Sequence, residues 1–342
     1  MKVRVDVCLG QDLPEIDLSF LTRRETWLPG TGIYLEFNLK GTYTEGYDFK
    51  VESDVPEVVV TKYSWNRFFI NIQQSGIVTF SVVQKGVVVV SKEITFKVSV
   101  ISVPLIYSVN DLLCSSVADI RFFANRLADN TINGTRFSLF TTRNLEGLCS
   151  MNLQPNPAFW RIYELILSIL TERGLKVYIT PYDYRTLYTF SLITSLKDIM
   201  LGYMDRSAKF KVVWDMSSGL RKKELGSTID IITNRFGKDI KLAVRADMFN
   251  KVGGEGFAQS FVEFRLKDRV PGNDRGIKIA RIKDITRDYF AIRTFAKQAV
   301  ENGWGVEYSP RYEGHDLRKI QYSLSRAMYI GYLDAVGEDK SD

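Results

Sequence analysis

The 342-residue chain is 45% hydrophobic and 25% charged with a formal net charge of +6, an ordinary globular composition long enough for two domains. Its longest apolar runs, such as Val87-Val88-Val89-Val90, are far too short to span a bilayer. The start, Met1-Lys2-Val3-Arg4-Val5-Asp6-Val7, alternates charged and apolar residues, so it reads as a strand and not as a signal peptide.

A single histidine, His315, and three scattered cysteines, Cys8, Cys114 and Cys149, offer no metal-ligand spacing. No metal or cofactor is expected, the thiols are read as free and buried, and a Ser-His-Asp triad would have to be built on His315. Residues 1–104 carry 11 Lys/Arg and 12 Asp/Glu, which leaves 35 and 28 of the totals of 46 and 40 for the remainder. Such a basic excess could attract an acidic polysaccharide or nucleic acid, but its dispersal along the chain argues against a nucleic-acid partner.

In the first hundred residues, apolar-rich runs recur at 3–9, 32–39, 48–51, 58–63, 68–72, 77–83 and 87–100. Pro29-Gly30, Gly41, Gly46, Ser75-Gly76 and Lys85-Gly86 supply turn signals among them. Short β-branched strands with regular turns predict an antiparallel β-sandwich. The stretch Phe49-Lys50-Val51-Glu52-Ser53-Asp54-Val55-Pro56-Glu57-Val58-Val59, with Ser75-Gly76-Ile77-Val78-Thr79-Phe80-Ser81-Val82 and residues 94–100 after it, resembles the bacterial immunoglobulin-like family over residues 20–102. The resemblance implies a spacer or adhesion module.

After Pro104 the hydrophobic period becomes helical and alternates with strand-like runs, which predicts βα units. Helix stripes fall at Ile120/Phe123/Ala124/Leu127, at Phe159/Ile162/Tyr163/Ile166/Ile169/Leu170, at Leu225/Ile229/Ile232/Phe236 and at Phe290/Ile292/Phe295/Ala296/Val300. The last three stripes stop at Gly174, Gly237 and Gly303. Strands are expected at 135–141, 176–180, 240–244 and 305–308, with weaker candidates at 105–109, 211–214, 261–266, 276–282 and 328–333. Eight or nine strands suit a (β/α)8 barrel; a doubly wound open sheet is the alternative, but no Gly-rich phosphate loop follows any strand. The fold class is therefore multidomain β plus α/β, with a sandwich over 1–104 and a barrel over 105–342.

The order of segments in residues 115–340 resembles the glycoside hydrolase clan built on (β/α)8 barrels. Four stretches carry this. Residues 122–136 resemble the clan's first helix running into its "asparagine–x–x–arginine" second strand, and 159–184 its third unit, which ends in aspartate. Residues 230–248 resemble the helix before the fourth strand, and Trp304-Gly305-Val306-Glu307-Tyr308 the seventh strand, which ends in the nucleophile. The resemblance implies Glu307 as nucleophile and Arg136 as its supporting arginine. It also calls for a glutamate after an asparagine as acid at the end of strand four. This chain has Arg245-Ala246-Asp247-Met248 there, so Asp247 is the acid only if the match shifts by one residue.

Glycoside cleavage needs two carboxyls across the scissile bond, set at the C-terminal strand ends of a barrel. Asp183, Asp215 and Glu263 are the remaining candidates. Tyr182, Tyr184, Tyr188, Trp214, Trp304, Tyr308 and Tyr312 flank the expected strand ends, where flat rings could stack on sugars. We therefore expect catalytic Glu307 and Asp247, with Arg136, Asp183, Tyr182, Tyr184, Trp214, Trp304 and Tyr308 contacting glycan or polysaccharide. Three readings stay open: a glycosidase with a rearranged acid, a non-catalytic glycan-binding or attachment protein, and a structural component of a virus particle. Homo-oligomeric or particle assembly belongs to the third. A glycan-handling protein without a signal peptide would fit an extracellular or particle-borne setting by resemblance, and otherwise the cytoplasm.

Overall fold

The computed structural model describes residues 2–9, 14–22, 27–40, 46–56, 58–98, 101–150, 152–182, 190–216, 222–237, 240–245, 259–272, 277–282, 287–309, 316–320 and 322–336. They fall into two compact units, Met1–Val100 with Glu172–Gly174, and Ile101–Thr171 with Leu175–Asp342.

In the first unit, β1 (Lys2–Leu9), β2 (Pro14–Ile16), β3 (Thr31–Lys40), β5 (Val58–Ser64) and β6 (Arg67–Ile72) make a five-stranded sheet of order β2-β1-β3-β6-β5. A second sheet, β4-β7-β8, comprises β4 (Tyr47–Ser53), β7 (Gly76–Gln84) and β8 (Val87–Phe96). Alternation explains the layering: in β6, Phe68, Ile70 and Ile72 are buried while Arg67, Phe69 and Asn71 face outward. Both sheets feed one hydrophobic core, where Phe37 of β3 stacks on Phe49 of β4 with ring centroids 4.4 Å apart. The expectation of purely antiparallel pairing fails at β1, which runs parallel to β3.

The second unit is a closed barrel. Its strands are β9 (Leu105–Ser108), β10 (Gly134–Phe140), β11 (Lys176–Tyr182), β12 (Val213–Asp215), β13 (Lys241–Arg245), β14 (Gln259–Phe264), β15 (Ile277–Ile282) and β16 (Gly305–Tyr308). All eight pair in parallel, and β16 returns to pair with β9. Helix α1 (Ser19–Thr22) belongs to the first unit, and the second carries α2 (Val117–Asp129), α3 (Leu145–Leu148), α4 (Pro157–Thr171), α5 (Phe190–Ser207), α6 (Lys222–Phe236), α7 (Tyr289–Glu301) and α8 (Tyr322–Val336). Helix α2 starts where the Ser116 side chain accepts from the Asp119 amide at 3.1 Å. Gly174, Gly237 and Gly303 follow α4, α6 and α7 in the left-handed region, at φ 72°, 58° and 78°.

The interior of the barrel is filled. Ile106, Tyr178, Val213, Ala243, Phe261 and Ile279 form a buried cluster, the packed layer expected of a (β/α)8 barrel. Gly134 makes room for it, because a Cβ there would meet Tyr178 Cε2 at 3.3 Å and Ile106 Cγ1 at 3.1 Å.

Several expectations change. Residues 328–333 are helical within α8, since Leu324, Ala327, Met328, Gly331 and Tyr332 recur at helical spacing on its buried side. The inward face of α4 centres on Tyr163, Ile166, Leu167 and Leu170, which turns Ile162 outward. Phe290 is 71% exposed at the start of α7, off the buried stripe of Ile292, Phe295, Ala296 and Val300. Of the three free thiols only Cys149 is buried; Cys8 and Cys114 are exposed. Among the described residues no helix is long and apolar enough to cross a membrane, and no group of three His, Cys, Asp or Glu could hold a metal ion.

Candidate functional site

Two residues beyond the apolar layer, toward the C-terminal strand ends, the barrel interior becomes charged. Side chains on one strand share a face at every second position. Ser108 is therefore in phase with Ile106, Asp215 with Val213 and Arg281 with Ile279. Arg136 and Glu307 are in phase with Gly134 and Gly305. Four of these side chains form a closed ion quartet. Asp215 Oδ2 accepts from Arg136 Nε at 2.6 Å and from Arg281 Nη2 at 3.1 Å. Glu307 Oε1 accepts from Arg136 Nη1 at 3.3 Å and Oε2 from Arg281 Nε at 2.7 Å. Ser108 Oγ donates to Glu307 Oε1 at 2.6 Å.

Neither carboxylate exposes any surface, and both guanidiniums are largely covered. The two arginines lie over Phe261, with Cζ 5.9 Å (Arg136) and 4.8 Å (Arg281) from its ring centroid. Burial works to lower the pKa of Arg281, but Glu307 and then Asp215 outweigh it and raise it well above the usual value. Two positive and two negative charges, each touching both opposite charges, make a neutral cluster that a low-dielectric interior tolerates. Glu263 pairs laterally with Arg281 between β14 and β15 and is exposed, so it puts an accessible carboxylate beside the cluster.

The structure brings Glu307 and Arg136 together and adds Asp215, Arg281 and Ser108. Counted from β9, Glu307 lies on the eighth barrel strand, not the seventh, and β13, which precedes Asp247, is the fifth strand, not the fourth. The shift arises because the resemblance passes from the third unit at 159–184 to a fourth strand after residues 230–248, stepping over the strand expected at 211–214, which is β12. The fourth strand ends in Asp215 and the seventh carries Arg281.

Three aromatic candidates lie elsewhere. Trp214 alternates with Asp215 and is buried, and its indole N–H donates to Ser207 Oγ on α5 at 3.2 Å, so its ring lies in the helical layer. Trp304 precedes β16 at the opposite, N-terminal end of the strand, where its N–H donates to the Pro271 carbonyl at 2.7 Å. Tyr308 alternates with Glu307 and meets Tyr107 edge-on at 5.7 Å, and Tyr107 in turn lies 6.3 Å from Phe123 of α2. Tyr182 ends β11 beside Phe140. Asp183, Tyr184, Tyr188, Asp247, Tyr312 and His315 lie outside the described residues. Arg281 and Ser108 were missed by sequence reasoning. The available signal was a polar residue in phase with inward apolar ones, as in Ile277-Lys278-Ile279-Ala280-Arg281.

The strand pairing and the interior charge define a (β/α)-type barrel with a polar layer under its C-terminal mouth. No family model and no curated protein matches the sequence. Among solved structures the chain is similar to the endo-1,4-beta-mannanase from Rhizomucor miehei, with a TM-score of 0.49 and 9% identity over 76% of this chain and 98% of that chain. It is also similar to a family 39 glycoside hydrolase from Bacteroides cellulosilyticus WH2, with a TM-score of 0.43 and 8% identity over 86% of this chain and 78% of that one. For the endo-beta-1,4-mannanase from Thermotoga petrophila the values are 0.46 and 10% over 70% and 78%. At this distance the likenesses carry no argument about chemistry.

Proposed function

We propose that the chain is a glycan-handling protein on a glycoside hydrolase-like barrel, and that it holds carbohydrate at the C-terminal mouth without using Asp215 and Glu307 to cleave it. The observation behind this is the closed quartet. Cleavage needs one carboxyl to protonate the leaving oxygen and another to attack or to activate water, both within reach of the sugar. Here both carboxylates are engaged by two guanidiniums and expose no surface. The glycan part of the reading is supported by the segment order of residues 115–340 and by the polar layer's place at the face where barrel sites are built. The immunoglobulin-like assignment of residues 1–104, the barrel domain over 105–342 and an extracellular setting belong to the same proposal.

One observation favours a catalytic reading. Arg136 lies 3.3 Å from Glu307, as a nucleophile with a supporting arginine requires. In that reading Asp247 supplies the acid, and Asp183, Tyr182 and Tyr184 contact the sugar. Binding and reducing-end release on a panel of neutral and acidic polysaccharides separate the two. The binding reading expects retention of at least one polysaccharide with no release of ends. Release by the parent that Glu307→Gln abolishes, with binding kept, would replace it with the catalytic one.

A further inference from the structure

The outer face of the five-stranded sheet carries a feature that the barrel does not explain. In β3, β6 and β5 the outward positions are Tyr34, Phe69 and Tyr63, grouped by the register Tyr34↔Phe69 and Thr61↔Phe69 and by the bulge between Lys62 and Ser64. Tyr34 and Tyr63 have ring centroids 6.4 Å apart and planes within 23° of each other. Tyr34 and Phe69 lie 4.6 Å apart. Tyr63 is 62% exposed and Tyr34 37%. A contiguous aromatic patch on an outer face signals a binding surface more strongly than scattered exposed residues do.

The surroundings narrow the ligand. On the same face, Arg67 Nη2 donates to Glu36 at 2.9 Å, so these two charges satisfy each other. Asn38 and Lys40 likewise occupy Asp6. Asn71 accepts from Gln73 at 2.9 Å, which leaves amide hydrogen-bonding capacity at the edge of the rings. Two near-parallel phenol rings beside a Phe69 ring tilted by 41°, with paired charges and amides around them, suit an uncharged ligand with flat C–H faces and hydroxyl rims. A charged polymer gains little from charges that are already paired.

We infer that this face is a second carbohydrate-contact surface, on which Tyr34 and Tyr63 stack against a neutral, extended, equatorially linked polysaccharide. The inference rests on the glycan-handling reading and deepens it. Both tyrosines are exposed, so their replacement leaves the core intact. Affinity electrophoresis of the full chain in a soluble neutral β-1,4-glucan, with polygalacturonate as the acidic counter-probe, is the test.

The double variant Tyr34→Ala/Tyr63→Ala should bind the glucan about tenfold more weakly, as expected for the loss of two aromatic contacts. Trp65→Ala is the control, because Trp65 is exposed but its ring stacks at 5.8 Å on Phe49 of the core; it should bind as the parent does. A double variant that binds the glucan like the parent overturns the inference and leaves the barrel reading standing. A double variant that changes only self-association in sedimentation also overturns it, in favour of a contact between copies. A parent that binds neither polysaccharide removes the inference and the reading together.

Discussion

At the scale of single residues, the quartet is a strong coupling with a small net gain. Pairing offsets the desolvation of four buried charges, but removing one partner leaves the others short. Arg281→Met takes one donor from Glu307 and one from Asp215. It should lower unfolding stability by about 3 kcal/mol in urea titrations, and Glu307→Gln in the same chain should restore part of the loss. An unchanged urea midpoint would mean that the cluster is solvated. Lys176 gives a pH-dependent counterpart. Burial, with help from Lys241, lowers its pKa below 10.5. The unfolded chain then holds the proton to higher pH than the folded one, so folding pays the full penalty at neutral pH and recovers it as pH climbs toward 10.5. Lys176→Met should therefore raise Tm at pH 7, and the difference should shrink to nothing above pH 10.5.

At the scale of elements, α7 and α8 pack so closely that Gly331 has no room for a side chain. A Cβ there would crowd the Arg293 carbonyl and come within 2.8 Å of Ala296 Cβ. The Arg293–Asp334 pair bridges the same two helices, with Nη2 to Oδ1 at 3.1 Å. Gly331→Val should force the helices apart and cost about 3 kcal/mol, the upper end for overpacking, read as a lower thermal midpoint. Normal melting would show that α8 can slide. The same elements show how far the sequence could be read. Stripes with four buried members, such as Ile120/Phe123/Ala124/Leu127, were legible because burial on one side leaves a 3.6-residue period. Phe290 and Ile162 misled because apolar residues also occur on exposed faces. Residues 328–333 looked like a strand because six residues cannot distinguish a buried helix turn from a short strand. At the site, the nearness of Arg136 to Glu307 was legible through the order of segments. The inward phase of Arg281 was there to be read in Ile277-Lys278-Ile279-Ala280-Arg281, but its partners were not, because which side chains meet across a barrel depends on closure and no local pattern encodes that.

At the scale of the whole molecule, closure joins the two sequence ends of the barrel. Strand β16 pairs with β9, and the Ser108–Glu307 hydrogen bond spans 199 residues. The Arg136–Glu307 contact spans 171. A chain cut after residue 303 keeps seven barrel strands but loses the one that pairs with both edges. It should show no cooperative unfolding of the barrel unit by calorimetry; a sharp transition there would mean that seven strands suffice. Because its partners are so distant in sequence, the quartet also sets an order of assembly. During synthesis, Arg136 and Asp215 leave the ribosome long before Glu307 and Arg281 only 26 residues ahead of it; until Glu307 arrives the two guanidiniums have one carboxylate between them in an unclosed sheet. The nascent cluster thus carries one unmatched positive charge in an open-edged sheet until the closing strand brings Glu307, so chaperone dependence should fall sharply once residue 308 has cleared the exit tunnel.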